Sequence, residues 1–151
     1  MRNILPIISL ILLSMGSHAQ ILKPIKWEFI AKKLKVGIYE LHMTATLEKT
    51  WKIYSTNMGE GGPLPTSVHF DKNPNVLLGG KIKEIGALHK IHEEAFDMEV
   101  LYYTDKADFV QLLKLKETKK ATVISGKIDF MVCDPNQCLP PEGVEFKVML
   151  K

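Results

Sequence analysis

From Lys26 onward, hydrophobic and polar residues alternate with period two. The clearest run is Ile38-Tyr39-Glu40-Leu41-His42-Met43-Thr44-Ala45-Thr46-Leu47, where odd positions are mostly large and apolar and even positions after Ile38 are polar. Successive side chains of a strand point to opposite faces of a sheet, so this run predicts a half-buried strand. Similar patterns predict strands at Trp27–Ala31, Trp51–Tyr54, Ser67–Phe70, Val76–Leu78, Lys81–Ile85, Ile91–Tyr103, Ala121–Val132 and Val144–Leu150. Asp105–Lys116 is ambiguous. Phe109, Leu112, Leu113 and Lys116 share one helical face, but a strand suits the neighbourhood better.

Turn chemistry separates these runs. Asn57-Met58-Gly59-Glu60-Gly61-Gly62-Pro63-Leu64-Pro65 is too rich in glycine and proline for a regular element. Asn73-Pro74-Asn75 and Gly79-Gly80 punctuate the chain in the same way. Short strands at intervals near ten residues predict an all-β sandwich or barrel. No internal repeat, low-complexity tract or second domain stands out, and the length of 151 residues suits one domain.

The N-terminus changes the expected compartment. Arg2 supplies a positive start, Ile4 to Met15 is mostly apolar, and Ser17-His18-Ala19 places small residues where a signal peptidase reads. The expectation is a signal peptide over 1–19, cleaved before Gln20, with the folded domain over 20–151. The apolar run is shorter than the roughly 20 residues that a spanning helix needs. No cysteine follows the cleavage point to carry a lipid. The protein is therefore expected outside the cytoplasm, where disulfides persist.

Composition adds little beyond this. The chain is 46% hydrophobic and 25% charged, ordinary for a globular domain, with a formal net charge of +3. Its lysines are scattered, with short doublets such as Lys32-Lys33 and Lys119-Lys120, so no basic footprint for nucleic acid is present. His42, His69, His89 and His92 lack metal-ligand spacing, and a solvated role fits them better. No hydrolase triad, phosphate loop or carboxylate constellation stands out. No metal or other cofactor is expected.

The two cysteines carry the candidate chemistry. Cys133 and Cys138 bracket Asp134-Pro135-Asn136-Gln137, all turn formers. The simplest geometry is a hairpin with the cysteines facing each other, and opposed residues on antiparallel strands lie within disulfide range. A ring this small stabilises a fold by roughly 2 kcal/mol, against about 4.7 for a hundred-residue loop. This favours a chemical role over a structural one. A hairpin clamp inside a non-catalytic immunoglobulin-like binding module is the competing reading. Metal binding by the pair would need two further ligands that the nearby sequence does not supply.

Around the pair, Phe130-Met131-Val132-Cys133-Asp134-Pro135-Asn136-Gln137-Cys138-Leu139-Pro140-Pro141-Glu142 resembles the redox motif of the N-terminal periplasmic domain of the thiol:disulfide interchange protein DsbD. Three other segments are similar: Trp51-Lys52-Ile53-Tyr54-Ser55 to the family's aromatic strand, Gly61-Gly62-Pro63-Leu64-Pro65-Thr66 to the loop after it, and His92-Glu93-Glu94-Ala95-Phe96 to the segment that caps the cysteines. The similarity spans roughly Ile25 to Leu150. It implies an immunoglobulin-like β-sandwich acting as a periplasmic electron relay, a component of protein-disulfide reduction. Electrons would come from a membrane-embedded or thioredoxin-like donor. They would pass to thioredoxin-fold periplasmic proteins, including disulfide isomerases and cytochrome c maturation factors.

Carried over residue by residue, Cys138 matches the cysteine that forms mixed disulfides and Cys133 the one that resolves them. Phe96 matches the aromatic cap, Glu94 an acid near the pair, and Tyr54 a neighbour on the aromatic strand. The chain departs from the pattern in three ways. Four residues separate its cysteines where the best-known members have five, and Ala95 stands where an acid is usual. No membrane segments or thioredoxin-like domain follow the last strand, so the donor is expected on another chain and the domain itself as a monomer.

The residues also suggest a reactivity. Neither a helix N-terminus nor a cation is evident beside the cysteines, while Asp134 and Glu142 flank them. Negative neighbours disfavour a thiolate. The expectation is a slow nucleophile that reacts efficiently only in a docked complex. For Phe96 the plain alternative to a cap is a core aromatic.

Overall fold

A computed structural model describes residues 22–94 and 96–151. The expected signal peptide over 1–19, its cleavage point before Gln20, and Ala95 lie outside the described residues. The described chain is all-β, with nine strands: β1 (Ile25–Lys35), β2 (Ile38–Leu47), β3 (Lys52–Tyr54), β4 (Ser67–Phe70), β5 (Val76–Glu93), β6 (Met98–Leu115), β7 (Thr122–Phe130), β8 (Val132–Cys133) and β9 (Glu142–Leu150). Six form one sheet in the order β1-β2-β6-β3-β8, with β5 along the other side of β6. The remaining three form a second sheet, β4-β7-β9, and every pairing is antiparallel.

The two sheets enclose one principal core. The alternation in β2 is realised in full, with Tyr39, Leu41, Met43, Ala45 and Leu47 all buried. They meet Phe109 and Leu113 of β6 and Ile124, Ile128 and Phe146 of the smaller sheet. Trp27, Phe29 and Phe146 pack their rings through this layer, with Phe29 and Phe146 centroids 5.2 Å apart. Asp105–Lys116, ambiguous by periodicity, is strand to Leu115.

Several expected boundaries fail: Ala121–Val132 is split at Met131, Lys81–Ile85 runs on into Glu93, and two further cases have a local reason. Ile91–Tyr103 is not one strand. The chain turns at Glu94, Phe96 and Asp97, with Phe96 N–H donating to Glu93 O (3.1 Å) and Asp97 N–H donating to Glu94 O (3.3 Å). No glycine or proline marks the reversal, because Asp97 itself adopts φ 49°, a left-handed conformation that Asp tolerates better than most residues. Conversely, Gly79-Gly80 does not end a strand. The pairing of β5 with β6 shifts register between Gly79 and Lys83, and Gly80 takes φ 68° within the bulge.

β6 changes partners along its length. Lys106–Thr46 to Lys114–Ile38 pair it with β2, while Tyr102–Tyr54 to Thr104–Lys52 pair it with β3. The handover falls at Asp105, whose φ is 59°. At the far end of the chain, Phe130 closes β7 in the small sheet and Val132 opens β8 in the large one. The backbone thus crosses between sheets at Met131 and carries the cysteine motif onto the large sheet.

Candidate functional site

Period-two geometry decides where the cysteines sit. Ile53, Tyr103 and Val132 belong to the principal core, while their strand neighbours Tyr54, Tyr102 and Cys133 belong to a second apolar cluster with Val100, Met58, Met98 and Met131. Adjacent strand residues project to opposite faces. The second cluster therefore lies on the face of the large sheet turned away from the small one. Gly62 of the loop after β3 fits closely against this cluster, since an added Cβ would come within 2.5 Å of Met98 Sδ. The same loop is tied back where Thr66 Oγ1 donates to Tyr54 O (2.6 Å).

Cys133 and Cys138 are disulfide-bonded, with Cα atoms 4.0 Å apart, and face each other as an antiparallel bridge. The loop between them is closed by Asp134 N–H donating to Gln137 O (2.8 Å). Asp134 Oδ1 accepts from the amides of Asn136 (2.7 Å) and Gln137 (2.8 Å), and Leu139 N–H donates to Val132 O beyond the pair. The carboxylate of Asp134 is thus spent on shaping the turn. The two sulfur-bearing residues differ sharply in access: Cys133 is 1% exposed, whereas Cys138 is exposed.

A cleft of about 650 Å³ opens over the disulfide. Its lining includes Lys52, Tyr54, Tyr102 and Thr104 together with residues 133–138. Glu93 and Phe96 reach it from the β5–β6 turn. Phe96 is 46% exposed, which excludes the core-aromatic alternative. Glu94 is exposed in the same turn and does not line the cleft; Glu93 does.

The expectation that no cation stands near the pair is corrected here. Lys52 is directly opposite Cys133 in the β3–β8 ladder, and its Nζ lies 5.0 Å from the Tyr102 ring centroid and 5.8 Å from that of Tyr54. The pairing is long-range in sequence, so nothing around the cysteines announces it. A similar correction removes Glu142 from the site. It begins β9 opposite Phe130 and lines a different cleft, beside Trp27 and Leu139.

Tyr54 is the titratable group most altered at the site. Burial, then the nearby charges of Glu93 and Tyr102, push its phenol up from 10.0 to about 12. Tyr103 is also raised, by burial and by its hydrogen bond to Glu84. Glu84, in β5, receives four donors: Ser55 Oγ (2.7 Å), Thr56 N–H (2.6 Å), Thr56 Oγ1 (2.5 Å) and Tyr103 Oη (2.7 Å). This knot fixes the end of β3 and hence the placement of Tyr54.

The histidines divide. His89 stacks on Tyr102 at the border of the site (centroids 5.1 Å), and His92 is exposed near Asp97. His42 is not simply solvated: its Nδ1 lies 2.7 Å from Asp108 Oδ2 on the outer face of β2 and β6. Among the described residues, no group of three or more His, Cys, Asp or Glu side chains is arranged to hold a metal ion.

No protein-family model and no curated protein matches the chain. Solved structures do. The N-terminal periplasmic domain of ScsB from Proteus mirabilis superposes with a TM-score of 0.57 at 15% identity, over 85% of this chain and 47% of that one. The Neisseria meningitidis DsbD N-terminal domain, in its reduced form, gives 0.53 at 11% identity, over 81% of this chain and 83% of that one. The chain spans about half the length of the ScsB domain it matches. At such identities the likeness concerns the fold, and the fold is the one that the cysteine motif implied.

Proposed function

We propose that this domain is a thiol–disulfide exchange relay working in the periplasm through Cys133 and Cys138. The observation that carries the reading is the unequal exposure of the two cysteines: a buried Cys133 bonded to an exposed Cys138 at the edge of an open cleft. A structural clamp has no need of that asymmetry, whereas an exchange centre requires one sulfur to be approached in line by an attacking thiolate.

The steps follow from this access. A donor thiolate attacks Sγ of Cys138, the Cys133–Cys138 bond breaks, and Cys133 leaves as a thiolate. A second thiol of the donor, deprotonated, attacks its own sulfur in the mixed disulfide and releases Cys138. Two electrons have then reached the pair. In the forward half, the Cys138 thiolate attacks a disulfide of the target, and Cys133 attacks Cys138 to release the reduced target and close the ring. The donor would be membrane-embedded or thioredoxin-like; the targets would be thioredoxin-fold proteins. Phe96 at the tip of the β5–β6 turn is the group suited to shield the bond between encounters, with Tyr54 as the floor beside it and Glu94 as an outer acid met by an approaching partner.

Trapping tests the proposal. Cys133→Ala leaves Cys138 able to form a mixed disulfide that nothing resolves, and a thioredoxin-fold protein is the expected captive in periplasmic extracts. Cys138→Ala, with its remaining thiol buried, should capture little. Equal capture by both variants, or none by either, contradicts the assignment.

A further inference from the structure

Breaking the disulfide at Cys138 puts a negative charge on Cys133, the sulfur with least access to water. Burial alone disfavours that charge. So do the two carboxylates at the cleft, Glu93 from β5 and Asp134 from the cysteine loop, and no backbone dipole from a helix offsets them, since the described residues contain no helix. The phenols of Tyr54 and Tyr102 and the imidazole of His89 behind them complete the titratable surroundings.

Against these stands Lys52. It is the one cationic side chain among the described residues that line the cleft. Directly opposed residues on antiparallel strands have Cα atoms about 4.5–5.5 Å apart and project from the same face of the sheet. Lys52 and Cys133 are such a pair. The ammonium is held over two aromatic faces, and a cation so placed is attracted by the ring electrons. Lys52 also makes no ion pair among the described residues.

We infer that Lys52 is the charge-stabilising residue of the exchange, favouring the thiolate that develops on Cys133 as its bond to Cys138 breaks. The inference deepens the relay reading and rests on it. Lys52 exchanges no proton in the step; it lowers the energy of the leaving group. A positive charge facing the same cleft favours the thiolate over the thiol. Leaving thiolates of lower pKa depart faster.

The test compares wild type, Lys52→Met, Lys52→Gln and Lys52→Arg, using dithiothreitol as a small reductant that needs no docking surface. The Cys133 thiol of the reduced protein should titrate about one unit higher in Lys52→Met and Lys52→Gln. Reduction of their disulfide should slow several-fold, with Lys52→Arg restoring both values. A merely structural lysine would leave the thiol pKa unmoved in whichever variants fold. Unchanged pKa and rate in either neutral variant overturn the inference, and so does failure of Lys52→Arg to restore them. A wild-type protein that refuses exchange with every thioredoxin-fold partner, while the Lys52 effects persist with dithiothreitol, defeats the relay reading alone.

Discussion

At the scale of single residues, the site is governed by which face a side chain takes. Tyr54 is 2% exposed, and its ionisation illustrates the consequence. Its folded pKa of about 12 exceeds the 10.0 of an unperturbed phenol, so the folded state holds this proton more tightly than the unfolded one. The resulting stability is complete below pH 10, declines as pH rises, and is gone above about 12. Tyr54→Phe should therefore lose less stability than wild type across that window, measured by urea unfolding, and the phenolate absorbance step above pH 11 should shrink. Equal losses would show that Tyr54 ionises as freely folded as unfolded. Phe96→Ala makes a separate prediction. Small thiols should reduce the disulfide several-fold faster in the variant, and an unchanged rate would remove Phe96 from any shielding role. The cysteines, Phe96 and Tyr54 were legible from a motif. Lys52 and Tyr102 were not, since cross-strand register unites them with Cys133 and Tyr54 and no local spacing encodes it, while Glu93 arrives from the far end of β5.

At the scale of elements, the strands were readable wherever one face is buried and the other wet. Ser67–Phe70 emerges with the expected bounds, and β2 with its expected inward face. Reading failed in the β5–β6 hairpin, where alternation continues on both sides of a turn built without glycine or proline and a glycine pair is absorbed as a bulge. This hairpin presents Phe96, and the four-donor knot on Glu84 sets its relation to β3. Glu84→Ala should be costly, because Ser55 is 1% exposed and its hydroxyl would lose its carboxylate partner. An unsatisfied buried polar group costs about 1–3 kcal/mol, and several groups share this carboxylate. Urea unfolding should show a loss of at least about 2 kcal/mol, with faster hydrogen exchange at the Thr56 amide. A loss within experimental noise would mean that water replaces the carboxylate without penalty.

At the scale of the molecule, the large aromatic core and the disulfide are separate assets on opposite faces of one sheet. The scaffold should consequently survive without the bond. A six-residue ring contributes about 2 kcal/mol by chain entropy, so Cys133→Ala combined with Cys138→Ala should fold and lose no more than that. Failure to fold would favour a clamp. The most direct test of an exchange-competent pair is its reduction potential, measured by equilibration with a thioredoxin-fold protein of known poise. A relay predicts equilibration on a practical timescale and a potential above about −300 mV, the level below which structural disulfides of secreted proteins typically lie. A potential below that level, or no equilibration at all, would contradict it.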